Sequence, residues 1–287
     1  MSMNPPSPDT DDFKQREQRT WTAAAPGWRR HDERMVQATA PVTTRMLELL
    51  SPTPGGQILD VASGTGEPAL SIAEAVGPSG RVIAVDFVDE MLTVAREKAA
   101  LRGLANIEFR HVDGEDLDIP ETTFDAVSNR WGLMFMPDPV GALRRALGLL
   151  ESDGRIAVAC WAGPERNPWV SLPMKAIRQR LGMEPPPPGT PGIFAFASAE
   201  RLQHVLEEAG FVDVRVEPVD VLMAEFDTGA EFFGFLRDVA GPVATLFNEL
   251  SEDEQADVSA EIAQAVTGPD GHVRLPGVTW VAVGTKP

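Results

Sequence analysis

The chain has 287 residues, 43% of them hydrophobic, which is enough for one large domain with a substantial core. A formal charge of −18 excludes binding along a nucleic-acid backbone, because phosphates are held by clustered lysine and arginine. The single cysteine, Cys160, excludes an internal disulfide and fits a reducing cytoplasm, where it is expected to pack as a small apolar residue.

Residues 1–12 are rich in proline and acid and are expected to form a disordered tail, without the basic start and apolar run of a secretory signal. Residues 13–50 read as two helices forming an N-terminal helical cap, with a break at Pro26-Gly27 and a second break or kink at Ala40-Pro41. Strands over 57–62, 81–86, 106–111, 124–129 and 154–161 alternate with helices near 67–76, 89–102 and 138–150. This rhythm predicts an α/β fold with a doubly wound parallel sheet. A helix at 169–182, a proline run from Pro185 to Pro188 and a helix at 199–209 follow. Residues 211–224 and 273–285 read as long strands around an acidic helical insert, whose charges are read as a solvated face. The expected organisation is a cap at 13–50, a cofactor-binding core at 51–164, a substrate-side lid insertion at 165–198 and the rest of the core at 199–287. No stretch approaches the roughly 18 uninterrupted apolar residues that a membrane span needs. The chain is expected to be soluble and cytoplasmic, with a small-molecule substrate, no nucleic acid and no membrane span; association with a second copy stays open.

The segment Gln57-Ile58-Leu59-Asp60-Val61-Ala62-Ser63-Gly64-Thr65-Gly66-Glu67-Pro68 carries the most information. An apolar strand runs through an acid into a glycine hinge and a helix start, a turn that brings bare backbone close to a ligand. Gly64-x-Gly66-x-x-Ala69 also fits a dinucleotide-binding pattern, with Asp86 at the offset of a ribose-binding carboxylate. Asp60 argues against a pyrophosphate there, since an anion facing two phosphates is repelled. A ligand carrying sulfonium and ammonium groups and no phosphate suits it better.

The run Leu59-Asp60-Val61-Ala62-Ser63-Gly64-Thr65-Gly66 resembles the first motif of the class I S-adenosylmethionine-dependent methyltransferases, with Ala62-Ser63 where the commonest version has Gly-Cys. Val82-Ile83-Ala84-Val85-Asp86 is similar to the second motif, His111-Val112-Asp113-Gly114-Glu115 to the third, and Phe124-Asp125-Ala126-Val127-Ser128-Asn129-Arg130-Trp131 to the fourth. The nearest subgroup is that of the menaquinone and ubiquinone C-methyltransferases and related small-molecule enzymes. The resemblance implies a Rossmann-like seven-stranded sheet with its last strand antiparallel, and S-adenosyl-L-methionine as cofactor. It implies a cofactor site of Asp60, Ala62, Ser63, Gly64, Gly66, Asp86, Phe87, Met91, Asp113, Gly114 and Asn129. Asp86 would hold the ribose hydroxyls, and Asp113 the adenine amino group. Asp60 and Asp86 could instead be structural acids, although Asp89 is the better cap for the helix that follows Asp86.

Methyl transfer from a sulfonium needs positioning and desolvation more than it needs an elaborate catalytic set. Among the four histidines, His31 is the candidate base, oriented by a nearby acid; an exposed histidine in a charged helix is the competing reading. Tyrosine is absent. Tryptophan faces would therefore have to steady a sulfonium or an aromatic acceptor, and Trp21, Trp28, Arg130, Trp131, Met134 and Trp169 are the candidate substrate pocket. Arg130 could hold a substrate carboxylate or pair with an acid. No metal site is expected, and Trp280 is read as packing. The expected activity is methyl transfer to carbon or oxygen of a small aromatic or apolar metabolite. Two alternatives are a nicotinamide-dependent oxidoreductase using the same glycine loop and a non-catalytic cofactor-binding scaffold.

Overall fold

The computed structural model describes residues 8–120 and 123–287, with the side chains of residues 8–10 left aside. Seven strands form one sheet in the order β3-β2-β1-β4-β5-β7-β6. They are β1 (Gln57–Val61), β2 (Arg81–Asp86), β3 (Ile107–His111), β4 (Phe124–Arg130), β5 (Leu150–Trp161), β6 (Val212–Phe226) and β7 (Val273–Thr285). The first five are parallel, and β7 slips antiparallel between β5 and β6. Strands β1 and β2 are almost continuously buried, as expected where helices cover both faces of a parallel sheet. Ile83, Leu59, Val127 and Ile156 lie side by side across the sheet and are all buried.

Helices α3 (Ala69–Val76), α4 (Asp89–Leu101) and α5 (Pro139–Leu149) are the crossovers. Asp138 caps α5, its side chain accepting from the Gly141 amide, with Pro139 at the first helical position. Helix α4 starts at Asp89 with Val88 in the capping position and no side-chain cap. Asp89 is therefore the first residue of the helix, a place where its negative charge still suits the helix dipole. The strand order reverses between β1 and β4, on either side of which β2 and β5 are added. In open α/β sheets a ligand crevice forms beyond the carboxyl ends of strands at such a point.

The cap consists of α1 (Pro8–Arg30) and α2 (Asp32–Leu50). Of the segment expected to be disordered, residues 1–7 lie outside the described residues, and 8–12 begin α1. The break expected at Pro26-Gly27 falls instead at His31: α1 continues through Pro26, and α2 continues through Pro41. Tertiary packing overrides the local signal. A β-carbon at Gly27 would lie 2.0 Å from the Asp238 carbonyl oxygen, so glycine there permits a close helix crossing rather than a turn.

The later helices are α6 (Pro168–Leu181), α7 (Ala199–Ala209), α8 (Gly229–Val239), α9 (Gly241–Phe247) and α10 (Glu252–Val266). Helix α10 opens with a capping box between Ser251 and Glu254. Its acids Glu252, Asp253, Asp257 and Glu261 are exposed, whereas Val258 and Ile262 are buried. The same insert is apolar in α8, where Phe232, Phe233, Phe235 and Leu236 join the core. Among the described residues, no helix is long and apolar enough to cross a membrane.

Candidate active site

A cleft of about 180 Å³ lies at the carboxyl ends of β1, β2, β3 and β4, roofed by α1. The loop after β1 supplies Ala62, Ser63, Gly64, Thr65 and Glu67 to its lining. Gly64 sits in the left-handed region at φ +52, and a β-carbon there would meet nothing within 4 Å. The bare backbone thus faces open space. Gly66, at φ +108, serves packing instead, since its β-carbon would lie 2.8 Å from Leu70. Ala62 also takes a positive φ, +58, where the family's usual glycine would be unstrained. Its methyl excludes a side chain at Gly132, where a β-carbon would come within 2.3 Å.

Asp86 ends β2 and ties this loop down. One carboxylate oxygen accepts from the Gly64 amide at 2.8 Å, the other from the Val88 amide at 2.9 Å. The Phe87 amide also acts on it, and of the roughly four acceptor positions of a carboxylate at least one remains for a ligand. Burial pushes its pKa up to about 6 against the pull of those amides. Asp60 lies fully buried beneath the loop; Ser128 donates to one of its oxygens, while the other has no partner. Burial raises its pKa to about 7, opposed by the Ser128 hydroxyl and by the charge of Arg130. Ser63 Oγ is likewise buried without a partner. Buried acceptors left unmatched by protein indicate missing ligand donors, and two acids suit a ligand with a cationic group and vicinal hydroxyls. The residues fit S-adenosylmethionine.

Asp113 and Gly114 follow β3 and line the cleft. Asp113 accepts from the Glu115 amide at 2.9 Å and pairs at 2.8 Å with Lys14 of α1, which also reaches Glu115 at 2.8 Å. Burial would lower the Lys14 pKa, but the two carboxylates outweigh it and hold the ammonium charged. His111 stays beside this region, bonded through Nε2 to the Phe87 carbonyl at 2.9 Å. Phe87 and Met91 also line the cleft.

The facing wall is aromatic. Trp131 stacks on Trp161 with centroids 4.6 Å apart and planes 6° from parallel, and Trp161 meets Trp169 edge-on at 5.0 Å. Trp21, Trp28, Met35, Met134 and Met136 complete this side. Trp28 Nε1 donates to the Val239 carbonyl at 2.8 Å, which brings Val239 and Ala240 of the insert to the cleft. Trp280 lies apart, donating to the Ala197 carbonyl.

Besides Gly66, three candidates are not brought to the lining of the cleft: Asp60, which stays beneath the glycine loop, His31 and Asn129. His31 sits at the α1–α2 junction, its Nε2 2.9 Å from Asp238 and its ring edge-on to Phe235. The acid that orients it comes from α8, and that pairing draws the ring away from the cleft; among the described residues, no histidine lines it. Asn129 turns its carbonyl oxygen to the amides of Gly132 and Leu133, at 3.2 and 2.8 Å, and shapes the loop after β4 from outside the cleft. Sequence reasoning did not find Phe13, Lys14, Glu17 and Glu115. The first three stand four residues or fewer apart on one helical face, a spacing that signals a shared surface but not what it faces. Among the described residues, no group of three or more histidine, cysteine or acidic side chains is placed to hold a metal.

The description "ubiE/COQ5 methyltransferase family" matches residues 42–172. Nocamycin O-methyltransferase of Saccharothrix syringae is 31% identical over 254 residues, covering 83% of this chain and 87% of that protein. Aklanonic acid methyltransferase DauC of a Streptomyces species is 35% identical over 127 residues, 44% of this chain and 58% of the relative. In fold, the chain is similar to Haemonchus contortus phosphoethanolamine N-methyltransferase 2 in complex with S-adenosyl-L-methionine, with a TM-score of 0.53 at 17% identity, covering 86% and 52% of the two chains. It is also similar to the [4+2]-cyclase SpnF, with a TM-score of 0.52 at 22% identity, covering 88% and 82%. The glycine loop, its buried acids and a relative matched over most of both lengths agree: the chain belongs to the S-adenosylmethionine-dependent methyltransferases, and S-adenosylmethionine is its cofactor.

Proposed function

We propose that the enzyme methylates carbon or oxygen of a small, planar aromatic or apolar metabolite. The observation that carries this reading is the Trp131–Trp161–Trp169 wall, which stands across one cleft from the buried acids of the cofactor side. Flat rings stack offset or edge-on against such faces, and the methionines around them adapt to irregular apolar outlines. The names of the two relatives, which methylate nocamycin oxygen and aklanonic acid, support an acceptor from specialised metabolism. The fold by itself does not choose the reaction, since a cyclase shares it.

In this reading Asp86 holds the ribose hydroxyls, Asp113 the adenine amino group, and Asp60 with Ser63 the amino-acid end, near Gly64. When bound, S-adenosylmethionine supplies an electrophilic methyl on a good leaving group. The protein then has to orient the acceptor and keep water out, which the roof formed by α1 and the tryptophan wall do. Residues 13–50 act as a lid on one side and 165–195, through Trp169 and Ile193, on the other. With His31 held by Asp238, acceptor deprotonation rests on the acceptor's own acidity. A screen of aromatic and polyketide-like acceptors, read by mass spectrometry for one added methyl, tests this. Methylation confined to aliphatic amines would overturn it.

A further inference from the structure

Arg130 closes β4 and lines the cleft, yet among the described residues no carboxylate pairs with it. Its Nη1 donates to two neutral hydroxyls of α2, Thr39 at 3.0 Å and Thr43 at 3.2 Å. Nε is buried without a partner, and Nη2 bonds to none of the described residues. The acids that act on it through space make no ion pair with it among the described residues, and each has a nearer partner. Asp60 is held by Ser128, Glu67 by Arg102 and Ser71, and Asp32 by Lys98. Burial lowers the Arg130 pKa to about 10, so the guanidinium is charged at neutral pH. A charge withdrawn from water without a counter-ion in contact costs stability, and such a cost persists where a ligand supplies the missing partner. The unpartnered Nε–Nη2 edge presents two parallel donors, the geometry that takes a carboxylate side-on. The same guanidinium lies 4.6 Å over Trp131, which stacks on Trp161.

We propose that Arg130 is the anion-recognition residue of the acceptor site, and that the acceptor presents a carboxylate or an equally delocalised anionic oxygen attached to a planar ring lying along the Trp131–Trp161 stack. This rests on the methyltransferase reading of the cleft and narrows its substrate class. The cofactor also carries a carboxylate, and the test separates the two sources. Calorimetric titrations of S-adenosylhomocysteine come first, into wild type, Arg130→Met and Arg130→Lys. Salicylate, 2-naphthoate and anthraquinone-2-carboxylate, each beside its neutral primary amide, are then titrated into the protein saturated with S-adenosylhomocysteine. The expected result is that at least one acid binds wild type tenfold or more tightly than its amide. Arg130→Met reduces that preference below twofold, Arg130→Lys keeps part of it, and S-adenosylhomocysteine affinity stays within twofold throughout. A thermal midpoint near that of wild type shows that both variants are folded. Absence of any preference in wild type, or a preference that survives Arg130→Met, overturns the proposal. So does a tenfold loss of S-adenosylhomocysteine affinity in Arg130→Met with acid binding unchanged, which would assign the guanidinium to the cofactor. Wild type that binds no S-adenosylhomocysteine would instead overturn the underlying methyltransferase reading.

Discussion

The two walls of the cleft are built by different rules. On the cofactor side, Asp60, Gly64, Asp86 and Asp113 each sit at or just beyond the end of a parallel strand, within 54 positions of one another. Sheet pairing alone brings these positions together. On the aromatic side, Trp28, Trp131, Trp169 and Val239 span more than 200 positions and meet only after the cap, residues 165–195 and the insert have packed. The first wall is polar, with buried acids that oppose burial; the second is apolar and is part of the core that stabilises the fold. Local chemistry builds the first wall, and global packing builds the second.

The sharpest way to break this contrast is Trp161→Ala. Trp161 is 4% exposed, stacks on Trp131 and meets Trp169 edge-on, so its loss should cost about 3–5 kcal/mol of stability in a denaturant titration. A cost below 1 kcal/mol would mean that the aromatic wall is not core. Next, Asp86→Ala should weaken S-adenosylhomocysteine binding by about 1.5–3 kcal/mol, roughly 10- to 150-fold by calorimetry. Unchanged affinity would remove the ribose role and leave Asp86 as the anchor of the Gly64 amide alone.

The pH dependence should separate the walls in the same way. Asp60 and Asp86 titrate in the folded protein at about 7 and about 6, above the roughly 3.9 of an unfolded aspartate. Between these values the native state binds more protons than the unfolded chain. Their contribution to the stability of the ligand-free protein therefore falls as pH rises from about 4 to 7. Cofactor affinity should move the other way, rising as Asp60 ionises, with protons released on binding. Calorimetry in buffers of different ionisation enthalpy would detect that release. A smaller effect is expected for Ala62→Gly, which relieves the left-handed backbone at φ +58 and should stabilise by about 0.5–1 kcal/mol, a gain read from the thermal midpoint.

Legibility in the sequence follows the same division. Asp60, Gly64 and Gly66 were readable because their chemistry is local: an acid at a strand end and glycines where φ is positive. The strand limits were readable from apolar runs bounded by turns, although β5 begins four residues before its expected start, and the antiparallel course of β7 came from the family resemblance alone. The helix break was misread because Gly27 answers to Asp238, 211 positions away, and nothing near it in the chain records that contact. His31 was misread for the same reason, since its orienting acid is again Asp238. Lys14 and Glu17 carried no signal, because a charged residue on an amphipathic helix looks the same whether it faces solvent or a nucleoside.

The placement of the aromatic residues also has an optical consequence. The chain has six tryptophans and no tyrosine, and five of the six, Trp21, Trp28, Trp131, Trp161 and Trp169, line the cleft. Intrinsic ultraviolet emission from this protein is therefore almost wholly emission from its binding site, with Trp280 as a constant background. A stacked pair such as Trp131 and Trp161 exchanges excitation readily, so one bound ring should dim both at once. Occupancy of the cleft can then be followed in unlabelled protein.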